Sequence, residues 1–160
     1  MNLYEAIKAL AGGGVEFVIV GGQALRSHGS AYLTEDLDIC YSREPLNLRR
    51  IATVLAPYNP RPRNFPDELP FVWDWTTLLN GTNFTFRTSL GDVDLLGEVA
   101  GVGSYPEVFA ESIMVDVEGF ALRILSIEGL IRAKETAGRV KDQLGLQELY
   151  ALKEAQQDKE

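Results

Sequence analysis

Three aspartates and a pair of glycines carry the chemistry legible in this chain. Asp36 and Asp38 flank Leu37 in the run DLDICY, residues 36 to 41. On a strand, residues i and i+2 share a face, so the two carboxylates point the same way. Such neighbours repel unless a cation lies between them, and their oxygens are hard ligands of the kind Mg²⁺ prefers. Upstream, Gly21-Gly22 closes the apolar run of Val15, Phe17, Val18, Ile19 and Val20. A glycine pair between a strand and a helix lets backbone N–H groups approach a phosphate. Together these features describe a site for a metal-bound nucleoside triphosphate. Further on, GDVDLL places Asp92 and Asp94 on one face of another strand. Asp92 follows Gly91 and suits a turn, so Asp94 is the preferred third acid and Asp92 the alternative.

The elements around these residues follow from periodicity. Leu3, Ala6, Ile7 and Leu10 recur at helical spacing, and Gly12-Gly13-Gly14 stops that helix. Residues 15 to 20 read as a buried strand and 22 to 28 as a short helix ended by Gly29. Residues 36 to 41 form the acid-bearing strand. Pro45 opens an amphipathic helix through Leu48, Ile51, Ala52 and Leu55 that stops before Pro57. Pro57, Pro60, Pro62, Pro66 and Pro70 predict a long surface loop without regular structure, lying outside the sheet. Its Arg61 and Arg63 read as solvent-exposed and mobile. Asp74 to Leu79 predicts one or two helical turns, and Phe84 and Phe86 a strand. Alternation at 113–117 and 120–124 about Glu118-Gly119 predicts a hairpin. Ser126, with Glu128 close behind, opens a helical region that runs to the C-terminus with a break near Gly138.

At 160 residues the chain predicts one α/β (α+β) domain, with a core over about 15–125 and C-terminal helices over about 126–157. Its single cysteine, Cys40, excludes an internal disulfide and a cysteine-based zinc site. The net charge of −8 argues against generic binding of long nucleic acids but allows a small polar substrate. No apolar run reaches the length of a membrane span, and MNLYEAIKAL lacks the pattern of a signal peptide, so the expected location is cytoplasmic.

In these residues the chain resembles the nucleotidyltransferase superfamily that shares the DNA polymerase β catalytic core. The shared pattern is a strand, a glycine pair or Gly-Ser, a short helix, a strand carrying Asp-x-Asp, and a later carboxylate on a neighbouring strand. The tail LSIEGLIRAKETAGRVKDQLGLQEL looks like the C-terminal helices of AbiEii-like nucleotidyltransferase proteins. Gly-Gly stands here for Gly-Ser, and Tyr32 and Leu33 stand where relatives often carry arginine.

The resemblance implies a small mixed sheet flanked by helices and transfer of a nucleoside monophosphate from a triphosphate, ATP among them, to a hydroxyl. Asp36, Asp38 and Asp94 would hold Mg²⁺, two ions by the family pattern, and act as the catalytic acids. Gly21, Gly22 and Lys134 would meet the nucleotide. The acceptor stays open between a tRNA end, a partner protein and a small molecule such as an aminoglycoside. The protein would be the toxin or enzyme half of a toxin–antitoxin or phage-defence pair, with a cognate antitoxin as partner.

Bland readings stand beside these. Lys134 and Lys141 suit a solvated helix face. His28 suits a helix C-terminus, with a phosphate or acceptor contact as the alternative. Phe71, Trp73, Trp75 and Phe84 suit a core or loop anchor better than a base-stacking platform. A different class, an inactive nucleotide- or partner-binding protein on the same fold, competes with the enzyme. A metal-dependent phosphohydrolase would usually bring more histidines than the one present.

Overall fold

The first helix, α1 (Leu3–Gly12), buries Leu3, Ala6, Ile7 and Leu10, the stripe its periodicity predicts. The computed structural model describes residues 3–29, 36–117 and 119–158. Tyr32, Leu33 and Glu118 lie outside them. After α1 come β1 (Phe17–Val20), α2 (Gly21–Ser27), β2 (Asp36–Tyr41) and α3 (Pro45–Leu55). Next are β3 (Arg61–Pro62), α4 (Trp75–Leu79), β4 (Asn83–Thr88) and β5 (Gly91–Leu96). The short β6 (Glu98–Val99) and β7 (Gly103–Ser104) pair with each other ahead of α5 (Tyr105–Ala110). The hairpin β8 (Ser112–Val117) and β9 (Phe120–Leu125) leads into α6 (Ile127–Ala137) and α7 (Gln143–Asp158).

Among the described residues, seven strands form one mixed sheet in the order β3-β4-β5-β2-β1-β9-β8. Strand β1 runs antiparallel to β2 and parallel to β9, while β2 runs parallel to β5. All four β1 residues are buried, as expected of an interior strand covered on both faces. Along β2 and β5 the pleat sorts the side chains. Leu37, Ile39, Val93 and Leu95 are fully buried and join Phe86 in the core, each stabilising the fold by about 1.5–3 kcal/mol. The alternate positions, Asp36, Asp38, Asp92 and Asp94, share the other face.

The proline-rich segment departs from its prediction. Arg61 and Pro62 form the edge strand β3, opposite Arg87 and Phe86 of β4, so this segment joins the sheet instead of lying outside it. Proline is tolerated because an edge strand needs only one side of its backbone paired. The arginines are held as well: Arg61 Nη2 donates to the carbonyls of Pro66 (2.6 Å) and Leu69. Further along, Asp74 caps α4 by accepting from Thr77 N, and Trp73 Nε1 donates to Ala52 O at 2.8 Å. Phe71, Trp73, Trp75 and Phe84 all pack against the core, as their bland reading holds. Ser126 caps α6 by accepting from Gly129 N, and Gly138 ends it in a left-handed conformation (φ 61°). The helix α5 is a structural finding with no counterpart in the sequence reading, since six residues offer less than two turns of periodicity.

Candidate functional site

The parallel pairing of β2 with β5 sets Asp36 beside Asp92 and Asp38 beside Asp94. Four carboxylates from sequence positions far apart thus meet on one patch of sheet. Asp92 belongs to the strand, not to a turn, because Gly91 begins β5 directly opposite Thr88 of β4. The turn lies earlier, at Ser89 and Leu90.

Asp38 is the most constrained of the four. The end of β1 turns into α2 at Gly21, whose φ of 68° is left-handed. A Cβ on Gly21 would lie 2.2 Å from Asp38 Oδ2. Glycine is therefore required both for its backbone and for the space it leaves the carboxylate. Asp38 Oδ1 is buried and has no hydrogen-bond partner among the described residues. Burial pushes the Asp38 carboxyl up to about 7, and the adjacent charges of Asp94 and Asp36 push the same way. Burial raises Asp94 as well, with Arg63 pulling against it.

Arg63 is where the structure most corrects the sequence reading. It is neither solvated nor loose: Nη1 donates to Asp92 Oδ2 at 3.0 Å and Nη2 to Asp94 Oδ1 at 2.6 Å. The missed signal was the spacing of Arg61 and Arg63 about Pro62, which is strand spacing.

Beside the acids opens a cleft of about 450 Å³. Its walls include Gly21, Gly22, Asp36 and Asp38, together with Lys134, Arg139, Lys141 and Asp142. Asn83 and Glu98 also line it, and no sequence signal singled them out. Lys134 lies on α6 and meets Asp142 at 3.4 Å, while Arg139 grips the same carboxylate at 2.8 and 3.2 Å. Burial opposes the Asp142 charge, but Arg139 and Lys134 outweigh it and hold the carboxyl below the usual range. The cleft thus carries both acidic and basic side chains. Asp94 lies beside Asp38 on the same face of the sheet and is held by Arg63, while Asp36 and Asp38 line the cleft. His28 Nε2 lies 2.8 Å from Leu125 O, tying the end of α2 to β9, which is a structural contact.

No three carboxylate, imidazole or thiol groups stand together as a ready metal cage among the described residues. Asp94 Oδ1 is taken up by Arg63 Nη2. Asp36 and Asp38 remain a hard-oxygen pair with one unsatisfied buried atom, which fits a cation that completes its shell with water and phosphate oxygens.

This electrostatic arrangement has a measurable consequence. In chelator the folded chain keeps the Asp38 proton to about pH 7, whereas the unfolded chain releases it near 3.8. The folded state therefore binds more protons across that window. Stability should fall as pH rises from about 4 to about 7, by up to roughly 1.4 kcal/mol per pH unit, and then level off. Urea melts in chelator across this range test it. An unchanged slope in Asp38→Asn would assign the effect to other groups.

No family model matches this sequence, and no curated protein does. Solved structures match its fold. A protein from Thermotoga maritima classed as a nucleotidyltransferase superposes with a TM-score of 0.56 at 15% identity, over 94% of this chain and 96% of that one. The lincosamide antibiotic adenylyltransferase LnuA, lincomycin-bound, gives 0.61 at 10% identity, over 94% and 95%. ANT(2")-Ia in complex with adenylyl-2"-tobramycin gives 0.59 at 13% identity, over 98% and 95%. At such identities the likeness is one of fold. The chain has the mixed α/β fold of nucleotidyltransferases, with its mixed sheet and C-terminal helices.

Proposed function

We propose that the protein is a metal-dependent nucleotidyltransferase that moves a nucleoside monophosphate from a triphosphate to a hydroxyl of an acceptor. The observation that carries this reading is Asp38: a half-buried carboxylate with one buried, unsatisfied oxygen, packed on Gly21 and set beside Asp36 and Asp94. A divalent cation, Mg²⁺ by its ligands, would be held by Asp36 and Asp38 and would neutralise charge building on the transferring phosphate. The α2 backbone at Gly21 and Gly22 would face the phosphates. Lys134, Lys141 and Arg139, which line the same cleft, would supply positive charge for the remaining oxygens. Asp94 would stand toward the acceptor hydroxyl and accept its proton as the oxygen attacks the α-phosphorus and pyrophosphate leaves.

Two of the structural neighbours are an adenylyltransferase bound to lincomycin and a protein bound to adenylyl-2"-tobramycin. We take a small polyhydroxylated molecule as the first acceptor class to test, ahead of tRNA or a protein. The toxin–antitoxin or phage-defence setting rests on the C-terminal sequence resemblance alone.

The direct test supplies each labelled triphosphate with Mg²⁺ and a panel of aminoglycosides, lincosamides, tRNA and cell extract. Label should pass to one acceptor class with release of pyrophosphate, and both signals should vanish in chelator. Nucleotide binding with no pyrophosphate from any combination would favour the second reading, an inactive nucleotide-binding protein. The grip of Arg63 on Asp94 is the observation that supports that second reading.

A further inference from the structure

The acidic face of the sheet is not left to external cations alone. Of its four carboxylates, the two on β5 already share a cation that belongs to the chain. The Arg63 guanidinium is a planar fork, and its two amino groups span Asp92 at 3.0 Å and Asp94 at 2.6 Å. Its backbone is fixed as well, with Arg63 N donating to Thr85 O at 2.9 Å. Thr85 is the β4 residue opposite Asp94, so the arginine is anchored across from the carboxylate it holds. The Arg63 side chain is only 26% exposed, and its partners 34% and 19%.

We propose that Arg63 stands in for the second metal ion of the site, so that the chain takes one divalent cation, on the β2 side, and uses Arg63 as the positioning residue for Asp94. This rests on the metal-dependent reading given above. Charge supports it. Four ionised carboxylates with one guanidinium and one divalent ion leave a slight negative excess, and a second divalent ion would leave a positive one. Geometry supports it too. An ion on Asp94 would have to displace the charge-assisted hydrogen bond from Arg63 Nη2 and sit against the like charge of a guanidinium still held by Asp92. Mg²⁺ also sheds water reluctantly and demands near-octahedral ligands, which a carboxylate already held in a fork does not offer. The unsatisfied atom, Asp38 Oδ1, lies on the β2 side, where the single ion is assigned.

The test counts Mn²⁺ bound per chain, with the metal alone, from the electron paramagnetic resonance signal of the free ion. Wild type should saturate at one ion. Arg63→Gln should saturate at two, its second site gaining at least about tenfold in affinity as the competing charge goes. Arg63→Lys keeps the charge and should stay at one. Melting in chelator establishes that each variant is folded, and the wild-type count decides alone if Arg63→Gln is not. Two ions in wild type, or one in folded Arg63→Gln, would overturn the inference while leaving the metal-dependent reading standing. No Mn²⁺ uptake by wild type would instead sink that reading, and the inference with it.

Discussion

Asp38→Asn should cost the protein its metal affinity and its transfer activity while leaving the metal-free fold as stable as before, or more so. The substitution keeps side-chain size and removes the buried charge with the unsatisfied oxygen. Changes to residues that merely hydrogen-bond a metal's ligands already cost about 10–100-fold in affinity, so loss of a ligand charge should cost about a hundredfold or more. The opposite sign in stability follows from what burial and the Asp94 charge do to this carboxyl, which they push up to about 7. Above that pH an ionised Asp38 opposes folding. A neutral amide does not, and its N–H can donate toward Asp94. The gain in chelator at pH 8 should be about 1 kcal/mol, some 2–4 °C in Tm for a chain of this size. Calorimetry with Mn²⁺ and a melt in chelator give both halves. Lower melting with unchanged metal binding would mark Asp38 as a structural acid and end the catalytic reading.

Gly21→Ala should act through the same carboxylate from the opposite side. The left-handed backbone at φ 68° costs an alanine about 1–2 kcal/mol. The added methyl meets Asp38 Oδ2 at 2.2 Å and Asp38 Cγ at 3.0 Å, so the acid must swing out of place. A combined loss of about 2–4 kcal/mol is expected, a fall in Tm of roughly 5–15 °C, with metal affinity down at least about tenfold. A double-mutant cycle with Asp38→Ala isolates the carboxylate contact, because trimming Asp38 removes the two closest atoms and leaves the backbone strain and a tight Cβ contact at 3.1 Å. Additive losses in the cycle would show that the two residues do not meet.

Much of this was legible in the sequence where the signal is local. Acid alternation about Leu37 and Val93 set the shared faces, and Pro45, Ser126 and Gly138 marked helix ends that the structure places within a residue. What escaped was whatever depended on non-local pairing. Which of Asp92 and Asp94 adjoins Asp38 follows from the β2–β5 register, which no single strand encodes. Arg63 looked like one more solvated loop charge because five nearby prolines argued against a strand. An edge position removes that objection, and only the tertiary pairing with β4 reveals the edge. Asp142 carried a family signal but no hint that it would be buried between Arg139 and Lys134.

The parallel pairing of β2 with β5 also orders events in time. Strand β2 meets β1 early along the chain, but it meets β5 only after the intervening segment, α3 through β4, has closed into a loop. Closing that loop is a slow, entropically costly step, and until it is complete the two aspartates of β2 remain hydrated and feel little of those on β5. The mutual repulsion of the four acids is therefore met late, near the end of folding. A cation settling among them relieves a strain that exists in the finished fold and scarcely in its precursor. Its effect would fall on the rate of unfolding, so that an ion bound there would also lengthen the lifetime of the folded chain.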